Sequence, residues 1–238
     1  MRYRSSRARR EFDTQLDQAL QKLGPLYKFA KDHGHGSRLL AAYYVLAYSQ
    51  LEAYIKRLVE DSLNTLNKST VALDKWPDPI LGYLLHRTEK LADDYRHYSH
   101  SEDESAIIDR VAKTARKIAA WSAGRSVLPQ AEATHFLERK KYPSPKNLPQ
   151  LFRRLGVKDI WAVIGKAGRI NGQLILSSLN DLRTDIAHEG RLPPGLSLTD
   201  FRDRFQKMRR FVAALDRGVS THFCSEWIAR ADWNRAMT

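Results

Sequence analysis

The chain has 238 residues, 42% of them hydrophobic, enough for one sizeable core with a small appendage. Forty Lys and Arg against 27 Asp and Glu leave a net charge of +13, so a polyanion is the first expected partner, nucleic acid ahead of an anionic membrane. The single cysteine, Cys224, excludes an internal disulfide framework and a multi-thiolate metal site and fits a reducing cytoplasm, and no apolar run approaches the ~20 residues that span a bilayer.

The first ten residues carry Arg2, Arg4, Arg7, Arg9 and Arg10 with no apolar segment behind them, so they are no secretory signal and make a candidate flexible arm. A helix is expected over residues 6–32, with Phe12, Leu16, Leu20 and Leu23 on one stripe and His33-Gly34-His35-Gly36 ending it. Residues 37–67 are the most apolar stretch and predict a buried central helix. Trp76-Pro77-Asp78-Pro79 breaks the chain, and helices follow over 80–98 and 104–123. After a loop at 140–145, a short helix capped by Asn147 ends at Gly156. The next helix, 173–189, is stopped by Gly190 and Pro193-Pro194. Another runs from 200 to 218, and 221–230 is a weaker helical candidate. No alternating strand pattern occurs, so the fold class is all-α. The organisation expected is a basic N-terminal helix (1–36), a helical domain (37–218) and a helical tail (219–238).

The helix at 173–189 carries the chemistry. Ile175, Leu179, Leu182 and Ile186 form its expected core stripe, while Gln173, Ser177, Asn180, Thr184 and His188 line the other side. A solvated helix face normally carries long charges; this one is small and polar and suits close approach by a ligand or another chain. Arg183 and His188 flank it. Arginine offers a fixed fork of donors to a phosphate, and histidine is the side chain suited to shuttle a proton near neutral pH. Five residues separate them, roughly 140° around the axis, so one helix does not aim both at one phosphate. Two copies of the helix in a dimer would make a shared cleft.

Other candidates are weaker. Arg217 and His222 repeat the Arg-x4-His spacing, but Gly218 between them reads as a helix end. Asp32, His33 and His35, or His97, His100 and Glu102, lie in loops without metal-ligand spacing, so no metal and no cofactor is expected. Glu52 and Lys56 are an i, i+4 pair, most simply a surface ion pair. Basic clusters at 2–10, at 139–146 with Arg153 and Arg154, and at 202–210 are candidate RNA-backbone contacts, with Lys140, Lys141, Arg153 and Arg154 foremost.

The stretch Leu182-Arg-Thr-Asp-Ile-Ala-His-Glu-Gly190 resembles the signature helix of the HEPN superfamily, Arg, four to six residues, then His. Two further segments are similar to the RiboL-PSP-HEPN branch: Ser49-Gln-Leu-Glu-Ala-Tyr-Ile-Lys56, with its Leu-Glu step, and Asn147-Leu-Pro-Gln-Leu-Phe-Arg-Arg-Leu-Gly156. The resemblance covers about 37–218. It departs from the pattern at Thr184, where Asn, Asp or His is common, and at Glu189, which separates His188 from Gly190. It implies a helical bundle with additional helices, a homodimer and a metal-independent endoribonuclease, often a toxin or defence RNase with an antitoxin protein. Arg183 and His188 would be catalytic, and Asn180, Thr184, Asp185 and Glu52 supporting. The alternative is a non-catalytic nucleic-acid-binding or antitoxin-partner protein that keeps the fold.

Overall fold

The computed structural model describes residues 2–33, 35–69, 71, 75–82, 133–137 and 143–237. Most of the helices expected over 80–98 and 104–123, together with Lys140 and Lys141, lie outside the described residues. The described residues form helices α1 (Arg7–Asp32), α2 (Gly36–Asn67), α3 (Ala133–Leu137), α4 (Asn147–Arg154), α5 (Ile160–Gly168), α6 (Gly172–Glu189), α7 (Leu198–Glu226) and α8 (Arg230–Met237). No strand occurs among them.

The long helices form where local signals agree. Ser6 caps α1 by accepting from the Arg9 amide. Asn171 caps α6 through the Leu174 amide, and Gly190 ends it at φ 66°, a left-handed position that glycine adopts without strain. Ser197 and Asp200 make a reciprocal capping box at the start of α7. Around α2 sit α1, α6, α7 and α8, and α7 also carries α5. Tyr44 of α2 stacks on Phe205 and meets Phe201 edge-on, with ring centroids 6.4 Å apart in both cases. Leu51, Ile55, Leu58 and Leu63 of α2 and Met208, Phe211 and Leu215 of α7 are fully enclosed. Each such side chain contributes roughly 1.5–3 kcal/mol by leaving water.

Several expectations change. Helix α7 does not end at Gly218 but runs on to Glu226. Gly218 is there for packing: a Cβ at that position would lie 2.7 Å from Val163 Cγ1 of α5. The tail helix starts later than expected, at Arg230. Helix α4 is not capped by Asn147; Ser144 Oγ accepts from the Asn147 amide instead, at 3.0 Å. Helix α5 was not foreseen, although Asp159 caps it by accepting from Trp161 and Ala162. The first half of α2 is not buried all round, since Leu39, Val45 and Leu46 are exposed.

The N-terminal residues are not a free arm. The buried Asp216 carboxylate of α7 accepts from the Tyr3 hydroxyl, from the Ser6 amide at 3.1 Å and from the Ser6 hydroxyl, with the Tyr54 hydroxyl of α2 at 3.4 Å. Arg217 lies over the Tyr3 ring, and Asn234 of α8 donates to the Arg2 carbonyl at 3.1 Å. One acidic side chain thereby fastens the chain start to two core helices.

Candidate functional site

Helix α6 buries Gly172, Leu176, Leu179, Leu182 and Ile186. Leu176 takes the buried place expected for Ile175, which is only half-buried. At ~100° per residue, Arg183 projects within roughly 20° of Leu176 and therefore leaves the helix on its core-facing side. It is half-buried and its guanidinium is engaged. His188 points roughly 140° away, is exposed, and has no hydrogen-bond or ion-pair partner among the described residues. Both residues lie in one uninterrupted helix, so the spacing sets their directions about its axis.

The charge of Arg183 is felt on α2, where it acts on Glu52 and on Tyr48, one turn apart. Burial pushes the half-buried Glu52 carboxyl above the usual carboxylate range, and the Arg183 and Lys56 charges pull it only part of the way back. Glu52 is thus half-buried rather than a surface partner of Lys56, and the charges of Arg183 and Lys56 both reach it. Burial likewise pushes the Tyr48 phenol up, with Glu52 adding to the shift and Arg183 opposing it, so Tyr48 stays a neutral donor. Its hydroxyl donates to the Pro143 carbonyl at 2.7 Å and lies 3.4 Å from Asn180 Oδ1. Tyr48 and Asn180 therefore meet between α2 and α6, within reach of the charges of Glu52 and Arg183. Sequence reasoning passed over Tyr48, because a tyrosine on an apolar helix reads as core. The available signal was its place four residues before Glu52.

The remaining candidates disperse. Thr184 is half-buried on the face between Arg183 and His188. Asp185 is exposed on the opposite flank, where it lines an open groove with Asp181, Asp200 and the Pro193–Leu196 turn. Arg204 lines it as well, so three aspartates against one arginine leave the groove net acidic and unfavourable to phosphate. Arg153 is exposed, whereas Arg154 is half-buried and donates to the Phe136 carbonyl at 2.5 Å. Of the 202–210 cluster, Arg204 donates to the Ser178 carbonyl at 3.1 Å and Arg209 pairs with Asp17, so much of its charge is already matched. The second Arg-x4-His pair is structural. Arg217 covers Tyr3, while His222 packs edge-on against Trp227 at 5.2 Å and burial holds its pKa below the ordinary value. Among the described residues no cluster of His, Cys, Asp and Glu has the makings of a metal site, and no helix is long and apolar enough to cross a membrane.

A family model described as RiboL-PSP-HEPN matches residues 8–221. No curated protein and no solved structure matches the chain.

Proposed function

The chain belongs to the RiboL-PSP-HEPN family, and from that premise we propose that it is a metal-independent endoribonuclease working as a homodimer in the cytoplasm, in a toxin or defence role. The observation that carries this reading is the division of labour along α6. Arg183 is half-buried with its charge felt at Glu52 and Tyr48, as a fixed charge should be, while His188 stands exposed at the helix end, as a proton shuttle must.

The chemistry needs little else. The RNA 2′-hydroxyl attacks the adjacent phosphorus, and the leaving 5′-oxygen takes a proton. His188 moves a proton at one of those oxygens, and Arg183 stabilises the charge that develops on the phosphoryl oxygens. Since the two side chains of one helix diverge, the site takes Arg183 from one protomer and His188 from the other. The uncovered apolar stretch of α2, where Arg38, Ala42, Val45 and Leu46 form a groove with Ile186 and Gly190, supports a second copy seated beside His188. Arg153 and Lys146 are exposed cations available to the RNA backbone.

The test is cleavage of structured and single-stranded RNA in the presence of chelator, with wild type, Arg183→Ala and His188→Ala. The expected products carry 2′,3′-cyclic phosphate ends, DNA is inert, and each variant loses about 10²-fold or more. Salt-sensitive RNA binding without cleavage would instead establish a binding protein that keeps the fold. An antitoxin partner is expected if wild type, but neither variant, arrests growth on expression.

A further inference from the structure

The four-residue row Tyr44, Tyr48, Glu52, Lys56 puts one aromatic hydroxyl where two separate parts of the chain meet. Tyr48 is 2% exposed, so its hydroxyl cannot be served by bulk water and depends on protein partners. One partner is the Pro143 carbonyl at 2.7 Å, in the turn that leads into α4. The other is Asn180, 3.4 Å away, three residues before Arg183 and on the adjoining face of α6. A phenol has a single proton, and the shorter contact, to a carbonyl, takes it. Asn180 Oδ1, at 3.4 Å, is the more distant acceptor on the same hydroxyl and lies beside it on α6.

We infer that Tyr48 is a positioning residue of the Arg183 site: its hydroxyl ties the Pro143 turn, and with it the start of α4 and its exposed Arg153, to α2 at the point where Asn180 of α6 approaches. This rests on the endoribonuclease reading for its effect on turnover. Two features separate the role from ordinary packing. The Tyr48 ring fills the core against Tyr44, at 6.5 Å between centroids, and phenylalanine would do that equally well. Only the oxygen reaches across to residue 143. Its neighbours are also the charged groups of the site, since Glu52 and Arg183 both act on it. With the tie in place, RNA held along α4 meets the guanidinium at a fixed distance; without it, the turn moves independently of α2.

The experiment is Tyr48→Phe in the full chain, alone and combined with Arg183→Ala. Amide hydrogen exchange within 143–149, carried by Ser144, Lys146, Asn147 and Leu148 because the three prolines have no amide proton, and single-turnover cleavage are read together. Expected are exchange at least tenfold faster in 143–149 with α2 and α6 unchanged, a thermal midpoint close to wild type, and a maximal cleavage rate lower by about tenfold. Adding Tyr48→Phe to Arg183→Ala should cost nothing further, because Tyr48 acts through the same guanidinium. Unchanged exchange in 143–149 overturns the inference, as does a full additive loss in the double variant. Wild-type protein that binds but does not cleave RNA removes the endoribonuclease reading, and exchange then still decides the tie.

Discussion

Replacing Asp216 by alanine removes the acceptor on which the chain start, α1, α2 and α7 converge. The carboxylate is 1% exposed and is approached by the Tyr3 hydroxyl, the Ser6 amide and hydroxyl, and the Tyr54 hydroxyl. A hydrogen bond to a charged acceptor contributes about 1.5–3 kcal/mol, and a buried donor left unsatisfied costs about 1–3 kcal/mol. The four donors share two oxygens, so their losses do not add. A total of about 3–5 kcal/mol is the reasonable magnitude, that of breaking a buried polar cluster from one side. For a chain of this size each kcal/mol shifts the thermal midpoint by roughly 2–4 °C, so the expected drop is about 6–20 °C. Urea denaturation gives the free energy directly. Limited trypsin digestion adds a local readout: Arg4 and Arg7 should be cut early in the variant and late in the wild type, because the freed segment becomes accessible. Tyr3→Phe and Ser6→Ala should each lose about 1–2 kcal/mol alone and little more when added to Asp216→Ala. A loss below about 1 kcal/mol for Asp216→Ala, with unchanged digestion, would refute the account of this carboxylate as the fastening point.

Mixing Arg183→Ala with His188→Ala protein tests the shared site. Random reassortment makes half the dimers mixed, each with one intact site of two, so about a quarter of wild-type cleavage should return, and no recovery excludes a site built from both chains. Leu46→Glu puts a charge on the exposed apolar stretch of α2; light scattering should show the mass falling to one chain with helix content unchanged, and a persistent dimer moves the interface elsewhere. Glu52 sets a pH dependence. Its folded pKa is raised by burial, so the folded state holds the proton more tightly, and its contribution to stability is fully present below the ordinary carboxylate pKa and lost as pH rises through the raised value. Glu52→Gln should therefore gain stability relative to wild type as pH rises through that window in denaturant titrations, and a pH-independent difference refutes the assignment. Gly218→Ala sets overpacking of about 1–3 kcal/mol against Val163 against a helix-propensity gain of about 1 kcal/mol, for a net loss of about 0–2 kcal/mol; a stabilised variant would show that α5 yields easily.

The sequence by itself determined the all-helical class and the places of the long helices. Capping residues such as Ser6, Asn171 and Ser197, the stop at Gly190 and the apolar spacing of α2 and α7 are local signals, because a helix is held by hydrogen bonds between near neighbours in the chain. The divergence of Arg183 and His188 follows from 3.6 residues per turn and needed no tertiary information. Long-range packing decided the rest. Gly218 reads as a helix end until α5 is seen pressed against it, and no local rule reveals a partner 55 residues away. A run of arginines reads as a loose arm until Asp216, a buried acid more than 200 residues downstream, is found holding Tyr3 and Ser6. Tyr48 reads as one more core aromatic until α6 and the Pro143 turn close over its hydroxyl. Burial turns a common side chain into a costly one that must find partners, and burial is set only when distant segments meet.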